Sequence, residues 1–257
     1  MRFNNLALLL VAIAAAPLAV VAQPAKKMPR IAFAESGAAE CKLLSRSESF
    51  YRALRELGYV FGTNINVDRK CYANSDEMRK VLRDFVVSKV DVIVVGAPLA
   101  ALTARDLTQE IPIVCASCGD PLGNGLVTSL ARPGGNVTGF ASLSAELIGK
   151  RLEFLKDALP GISRVAAVIN PDNPGTRLTL KALEDAGGTL GLTIVRVEFR
   201  ALDRFDRVLK AAAATGAGAI LIQDDPYVSP QGKLIADVAL KLRLPTSLES
   251  MSSRMMA

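Results

Sequence analysis

The chain of 257 residues contains no histidine. Histidine is the base in Ser-His-Asp and Cys-His catalytic arrangements, so hydrolytic sites of those two kinds are excluded. Metal sites that use histidine ligands are excluded for the same reason. No GxxxxGKS/T loop occurs, and Thr128 occupies the third glycine position of a GxGxxG motif that would begin at Gly123. The sequence therefore gives little support to a dinucleotide-binding enzyme.

Aromatic residues are also scarce, at 5% of the chain, and no run of five like charges occurs although the formal net charge is +6. Nucleic-acid-binding surfaces combine a basic stripe with aromatic side chains on which bases stack. Neither feature is present, so nucleic acid is not a predicted partner. The hydrophobic residues, 50% of the chain, are enough to bury one large core or two modest ones.

Residues 1–22 have the pattern of an export signal. Arg2 gives a basic start, an apolar stretch covers Leu6 to Ala16, and small residues lead to a cleavage point after Ala22. An uncleaved membrane anchor is the alternative, but Pro17 interrupts an apolar run that is near the lower limit of about 17 residues for a spanning helix. We therefore predict cleavage before Gln23 and a periplasmic protein. No later stretch is long and apolar enough to span a bilayer.

Short β-branched runs alternate with longer segments of helical periodicity, which predicts βαβ units in parallel sheets. Helix-start signals are present at Ser75 and Ser144, and a helix stop at Gly191. In the first half the predicted elements are strand Arg30–Phe33, helix Leu43–Leu57, strand Asn64–Arg69, helix Asp76–Ser88, strand Asp91–Val95, helix Leu99–Leu107 and strand Ile111–Cys115. In the second half they are helix Ala145–Leu159, strand Val165–Ile169, helix Gly175–Leu190, strand Thr193–Phe199, helix Asp203–Ala214, strand Ala219–Ile222, helix Pro230–Leu242 and a strand near Leu244–Ser247.

A glycine- and proline-rich segment from Asp120 to Phe140 separates the two halves. Its glycines relieve the steric limits on φ and its prolines interrupt helices, so the segment is a candidate hinge. The sequence thus predicts an α/β protein with two Rossmann-like parallel-sheet lobes joined by a hinge. The predicted lobes are residues 23–138 and 139–247, and an irregular tail covers residues 248–257.

The loops that follow the predicted strands carry hydroxyl, amide and carboxylate groups. In open parallel sheets, ligands bind outside the carboxyl ends of the strands. These residue types also make ordinary turns and caps, but their recurrence after so many strands favours a binding cleft. The loops are Glu35-Ser36-Gly37, Gly96-Ala97-Pro98, Ser117-Cys118-Gly119-Asp120, Asn170-Pro171-Asp172-Asn173 and Gln223-Asp224-Asp225-Pro226.

The four cysteines all lie in the first half of the chain. Disulfides are favoured for an even number of cysteines in an exported protein, ahead of free thiols and of a four-thiolate zinc site. A strand order of 2-1-3-4 in the first lobe would bring Cys41 and Cys71 together and leave Cys115 and Cys118 as a local CxxC pair. A redox role for that pair is less favoured, because no helix begins after Cys118 to lower a thiol pKa. We predict no cofactor and no resident metal.

Several segments resemble one known family. They are residues 55–65, 90–102 and 111–114, the run DPLGNGLVTSLARPGGNVTG at 120–139, residues 149–175, and LPTS at 244–247. On these segments the chain is similar to the exported ABC transporter substrate-binding proteins whose best-known members bind tryptophan and related amino acids. The resemblance covers residues 30 to about 247 and implies the type I periplasmic-binding-protein fold.

The resemblance implies that two lobes close over a small ligand and present it to the membrane permease of an ABC importer, without chemistry. It implies a monomer whose backbone N–H groups and hydroxyls at helix starts hold a ligand carboxylate. Asp120 or Asp224 would pair with an amine of the ligand. The implied contact residues are Ser36, Gly37, Gly96, Ala97, Pro98, Ser117, Asp120, Asn170 and Asp224.

The resemblance has one departure, at the carboxyl end, because family members usually continue past LPTS and return to the first lobe. We therefore expect a C-terminally truncated chain that is less stable than a full-length relative and exposes apolar surface. An exported α/β enzyme or thiol-redox protein is the alternative function. It would use the adjacent carboxylates Asp224 and Asp225 or the CxxC pair, and it predicts metal dependence or thiol turnover.

Overall fold

A computed structural model describes residues 28–37, 45–142, 144–201 and 203–248, without the side chains of residues 45–46 and 144–146. The predicted export signal, the predicted tail beyond residue 248 and Cys41 lie outside the described residues. Within the described part of the chain, strands and helices alternate as the sequence predicts and form two parallel sheets. No helix in that part is long and apolar enough to cross a bilayer.

The first sheet has five parallel strands in the order β2-β1-β3-β4-β5. This order confirms the predicted 2-1-3-4 arrangement and adds one edge strand. The strands are β1 (Arg30–Ser36), β2 (Asn66–Tyr72), β3 (Val92–Val95), β4 (Ile113–Cys115) and β5 (Val137–Gly139). The helices between them are α1 (Ser45–Glu56), α2 (Ser75–Val87) and α3 (Pro98–Leu107).

The second sheet has four parallel strands in the order β7-β6-β8-β9. The strands are β6 (Arg164–Ile169), β7 (Thr193–Glu198), β8 (Ala219–Ile222) and β9 (Thr246–Ser247). The helices are α4 (Ser144–Ala158), α5 (Thr176–Leu190), α6 (Phe205–Ala214) and α7 (Gly232–Leu242), with a short 3₁₀ turn at Ser229–Gln231.

The central strands of the second sheet are covered by helices on both faces, and every residue of β8 is buried. Successive side chains of a strand point to opposite faces, so the apolar run divides between two cores. One core, with α6 and α7, contains Ala166, Val168, Ile220 and Ile222. The other, with α4 and α5, contains Val165, Ala167, Ile169 and Leu221.

The helix-end predictions are confirmed at one site and wrong at another. Helix α5 ends at Gly191, which has φ of 65° in the left-handed region that glycine adopts most readily. Helix α2 is capped by Asn74 and not by Ser75. Asn74 has an extended backbone, and its Oδ1 accepts hydrogen bonds from the N–H groups of Asp76 and Glu77, both at 3.0 Å. Asparagine is as good an N-cap residue as serine, so composition alone does not decide between them.

The predicted hinge segment contains β5, a strand that sequence reasoning missed. Gly139 lies opposite Cys115 in the register of β4 and β5. A Cβ at Gly139 would lie 2.0 Å from the carbonyl oxygen of Cys115, so the close approach of the two strands requires glycine. The next residue, Phe140, donates its N–H to the same carbonyl at 3.0 Å and accepts from the N–H of Cys118 at 2.8 Å. The segment therefore stays attached to the loop after β4 before the chain continues to α4.

Candidate ligand-binding site

The carboxyl ends of the two sheets border a common cavity of about 70 Å³. The first sheet contributes the loops after β3 and β4, and the second contributes the loops after β6 and β8. Six of the predicted contact residues line this cavity: Gly96, Ala97, Pro98, Ser117, Asp120 and Asp224. The prediction that ligand-binding groups gather at the strand ends thus agrees with the position of the cavity.

Two helices begin at the cavity without a side-chain cap. Helix α3 follows Ala97, and α5 follows Gly175; neither residue supplies a side-chain acceptor to its helix. The first N–H groups of a helix lack intrahelical acceptors and carry the positive end of the helix dipole. Because both helix starts border one cavity, together they favour an anionic group such as a carboxylate.

The charged side chains that line the described cavity are all acidic: Asp120, Asp224 and Asp225. The exposed Asp120 uses Oδ1 to accept the N–H groups of Leu122 at 3.1 Å and Gly123 at 2.9 Å, which fixes the loop after β4. Asp224 is half-buried on the opposite wall. Acidic side chains in a partly enclosed cavity favour a ligand that carries a positive group.

Asp225 is buried, and three donors surround its carboxylate. The side-chain amides of Asn170 and Asn173 each donate to Oδ2 at 3.0 Å, and the N–H of Tyr227 donates to Oδ1 at 2.9 Å. Burial raises the pKa of Asp225 because desolvation outweighs the lowering effect of these bonds. The network ties the loop after β6 to the loop after β8.

Gln223 makes a second link between the same loops. Its Oε1 accepts from the N–H of Asn170 at 3.1 Å and from the hydroxyl of Thr176 at 2.9 Å. Gln223 is buried and lines the cavity. The two donors fix the orientation of the amide, so its Nε2 is held in one position at the cavity wall.

Comparison with known proteins identifies the family. Residues 41–253 match the family of ABC transporter substrate binding proteins. The chain belongs to this family. Its members are solute-binding proteins.

One curated relative of this substrate-binding protein is the tyrosine-binding protein of Clostridioides difficile (strain R20291). The two are 31% identical over 139 residues, which make up 54% of this chain and 40% of that protein. The match therefore spans about two fifths of the relative's length.

Two solved structures are similar in fold. The ABC domain in complex with L-Trp from Streptococcus pneumonia has a TM-score of 0.73 at 17% identity, covering 87% of this chain and 75% of that one. A conserved domain protein from Vibrio cholerae has a TM-score of 0.71 at 23% identity, covering 86% and 73% respectively. These likenesses show the fold, which is the type I periplasmic-binding-protein fold.

Three predicted contact residues of the substrate-binding protein lie beside the cavity and do not line it. The hydroxyl of Ser36 donates to the carbonyl oxygen of Pro226 at 3.4 Å, and the N–H of Gly37 donates to the carbonyl oxygen of Tyr72 at 3.0 Å. The side chain of Asn170 is only 3% exposed and is used by the Asp225 network. These residues shape the walls of the cavity, and they reach a ligand only if the loops rearrange.

Sequence reasoning missed several lining residues because it selected only some members of most loops and none of helix α5. For the polar residues in the loops, a position after a strand end was the available signal, whereas Leu178 and Thr179 lie on α5 and gave no such signal. The missed residues include Asn124, Asn173, Leu178, Thr179, Gln223 and Asp225.

The cysteines of the described chain differ in state. Cys71 is disulfide-bonded, whereas the predicted partner Cys41 lies outside the described residues. Cys115 and Cys118 are free and buried, so the structure does not show the disulfide favoured for this pair. Cys118 donates its thiol to the carbonyl oxygen of Cys115 at 3.4 Å. A further hydrogen bond, between the thiol groups of Cys115 and Cys118, raises the pKa of the Cys115 thiol, and burial raises it as well.

A metal-dependent site would use the adjacent carboxylates Asp224 and Asp225. Asp225 is occupied by three hydrogen-bond donors, as described above. In the described part of the chain, no group of three or more His, Cys, Asp and Glu side chains is arranged to hold a metal ion. The adjacency of Asp224 and Asp225 in sequence therefore does not produce a cluster of ligands.

Proposed function

We propose that this protein binds an amino acid, with both its amino and its carboxylate group, in the cavity between the two sheets. It then presents the ligand to the membrane permease of an ABC importer and performs no chemistry itself. The observation that carries this proposal is the pairing, in one cavity, of two uncapped helix starts with side-chain charges that are exclusively acidic.

The two ends of an amino acid fit these two features. The carboxylate is held at the starts of α3 and α5, where the positive ends of the helix dipoles favour negative charge. The ammonium group pairs with Asp224, the half-buried carboxylate of the cavity wall, or with Asp120 across the cleft. A charge-assisted bond of this kind is stronger than a bond between neutral groups.

An aromatic amino acid is the ligand class best supported by the relatives. The curated relative is named a tyrosine-binding protein, and one similar structure holds L-Trp. The cavity of about 70 Å³ is small beside the roughly 300 to 1,000 Å³ of pockets that hold drug-sized molecules. The lobes therefore separate to admit such a ligand and close again over it, and the chain crosses between them after β5, at the end of the segment Asp120 to Phe140.

The remaining features of the proposal follow from the sequence. Residues 1–22 direct export and are removed, so the protein acts in the periplasm. It acts there as a monomer. The lobes are residues 23–138 and 139–247, and their boundary falls at the end of β5. Nucleic acid is not a partner.

Isothermal titration of the purified protein with ligand analogues tests the proposal. L-tyrosine and L-tryptophan are compared with tyramine, which lacks the carboxylate, and with 3-(4-hydroxyphenyl)propionate, which lacks the amine. We expect each analogue to bind at least about tenfold more weakly than L-tyrosine, a loss of about 1.4 kcal/mol. Equal affinity for either analogue would show that one end of the ligand is not recognised.

Asp224→Asn separates recognition of the amine from general damage to the fold. We expect this variant to weaken L-tyrosine binding and to leave binding of 3-(4-hydroxyphenyl)propionate unchanged, because only the first ligand has an ammonium group. Asp185→Asn is the matched control, since Asp185 is an exposed carboxylate on α5. Absence of binding across the whole panel would overturn the assignment of an aromatic amino acid.

A further inference from the structure

Leu178 occupies an unusual position in the second lobe. It lies in the first turn of α5 and lines the ligand cavity. Leu183, one turn further along the helix, is buried in the core of the lobe, whereas Leu178 is half-buried. It is also absent from the two hydrophobic clusters that form the core of this lobe. Its apolar side chain therefore finds its contact outside its own lobe.

That contact is Gly123 in the loop after β4 of the first lobe. A Cβ placed on Gly123 would lie 2.6 Å from Cδ1 of Leu178, well inside van der Waals distance. The same Cβ would lie 2.3 Å from Oδ2 of Asp120, which belongs to the loop of Gly123. Gly123 is not among the glycines with positive φ, so its backbone accepts any residue. Space, and not backbone conformation, is what excludes a side chain here.

We infer that Leu178 and Gly123 form a latch between the lobes, in which the leucine side chain fits into the gap left by the missing Cβ. The contact exists only when the cleft is closed, because its two members belong to different lobes. Leu178 also lines the cavity, so the depth to which it fits sets how far the lobes close over a ligand. The effect on ligand choice rests on the function proposed above, whereas the effect on closure does not.

The contact between Ser36 and Pro226, which also joins the two lobes, is a weaker candidate for this role. The hydroxyl of Ser36 reaches the carbonyl oxygen of Pro226 at 3.4 Å, which is long for a hydrogen bond donated by a hydroxyl group. A methyl group packed against a backbone gains dispersion contacts and excludes water, and an atom added at the same place forces the leucine side chain to shift. The latch is therefore sensitive to single-methyl changes on either side.

A double-mutant cycle tests the latch. The variants are Gly123→Ala, Leu178→Ala and the double variant, with Gly135→Ala as the control. A Cβ at Gly135 meets nothing within 4 Å, and Gly135 lies in the same hinge segment. The clash of Ala at position 123 with Asp120 is present in both backgrounds and cancels in the cycle. What remains is the coupling between positions 123 and 178.

The first readout is the radius of gyration of the ligand-free protein by small-angle X-ray scattering. We expect Gly123→Ala to shift the protein toward the open form and the double variant to return toward the value of Leu178→Ala. Gly135→Ala should match the wild type. If Gly123→Ala has the same effect with and without Leu178, the latch is wrong and the cost arises within the first-lobe loop.

The second readout is affinity for L-tyrosine and L-tryptophan. We expect Gly123→Ala to weaken both by at least about tenfold and Leu178→Ala to improve the affinity for L-tryptophan relative to L-tyrosine, because a larger space remains. An unchanged ratio of the two affinities in Leu178→Ala overturns the role in ligand choice. If neither amino acid binds the wild type, the proposed function fails, and the scattering cycle still decides whether the latch exists.

Discussion

The side-chain amide of Asn170 donates to Oδ2 of Asp225 at 3.0 Å, and both residues are buried. Asn170 follows β6 and Asp225 follows β8, so this bond joins two loops that the chain separates by more than fifty residues. Asn173 donates to the same oxygen at 3.0 Å. The second-lobe wall of the cavity is thus ordered before a ligand arrives, which reduces the entropy that binding has to overcome.

Asn170→Ala should destabilise the protein. The substitution removes one of the donors to a buried carboxylate, and leaving such a group incompletely bonded costs about 1 to 3 kcal/mol. Urea unfolding followed by circular dichroism measures this loss. Asn66→Ala is the matched control, because Asn66 is exposed at the start of β2. A loss as large in the control as in Asn170→Ala would contradict a special role for the Asp225 network.

Asp225 should also make stability depend on pH. Burial raises the pKa of this carboxyl in the folded state, so protonation favours folding. The stabilisation is fully present below the ordinary aspartate pKa of about 3.9 and is lost as the pH rises through the raised value. The asparagine side chain in Asp225→Asn is uncharged at every pH, so the variant does not lose stability in this way as the pH rises. We therefore expect the free energy of unfolding of the wild type, minus that of the variant, to fall as the pH rises.

The measurement is a series of urea unfolding curves between pH 4 and pH 7 for both proteins. Asp185→Asn is the control, since Asp185 is exposed and pairs with Lys181 on the surface of α5. Its difference from the wild type should show a smaller dependence on pH. A difference for Asp225→Asn that rises with pH would show that the hydrogen bonds outweigh burial, and a flat difference would show that the two effects cancel.

Much of the fold follows from local patterns in the sequence. The strand order of the first sheet was predictable because alternating strands and helices in this class constrain the connections, and the stop at Gly191 was predictable because glycine accepts a positive φ. β5 was not predictable. Three residues, Val137–Gly139, are too few to show periodicity, and their pairing depends on the distant carbonyl of Cys115.

The position of the site followed from the strand ends, but the orientation of each side chain did not. Asn170 and Asn173 are the same residue type in one loop, yet only Asn173 lines the cavity while Asn170 is buried beneath it. Asp224 and Asp225 both line the cavity, but Asp224 is half-buried whereas Asp225 is buried and belongs to the hydrogen-bond network. Periodicity ends where the strand ends, so sequence alone cannot assign which neighbour turns inward.

Gly139→Ala should weaken the attachment of the hinge segment to the first sheet. The added Cβ would lie 2.0 Å from the carbonyl oxygen of Cys115, which is backbone and cannot move aside as a side-chain end can. Overpacking of this kind costs typically about 1 to 3 kcal/mol, and we expect the upper part of that range. Thermal melting and hydrogen exchange at Phe140, whose N–H donates to the same carbonyl, report the loss.

Gly135→Ala provides the comparison, because a Cβ there meets nothing within 4 Å and the residue is not among the glycines with positive φ. We expect no loss of stability, and a small gain from the reduced freedom of the unfolded chain. Equal melting temperatures for Gly135→Ala and Gly139→Ala would mean that β4 and β5 separate without cost.

Among the ion pairs of the described residues, the buried pair of Glu35 and Arg69 should be the most costly to break. Arg69 donates from Nε at 3.0 Å and from a terminal nitrogen at 2.7 Å to the same carboxylate oxygen, and Ser47 donates to the other oxygen at 3.1 Å. The side chains of Glu35 and Arg69 are only 9% and 12% exposed, so solvent does little to screen the pair. Removing one member of a buried pair costs roughly 3 to 5 kcal/mol.

Glu35→Ala, measured by urea unfolding, should lose stability on that scale. The comparison is Asp185→Ala, which breaks the Lys181–Asp185 pair at 2.6 Å, where both side chains are about two thirds exposed. Exposed helix pairs contribute about 0.3 to 0.5 kcal/mol. The two pairs have similar N–O distances, but the Glu35 pair is buried and has additional hydrogen bonds, so the ratio of the losses measures what burial and these bonds add together. Similar losses would mean that water reaches Glu35 in solution and that the end of β1, next to the cavity, opens far more readily than its burial implies.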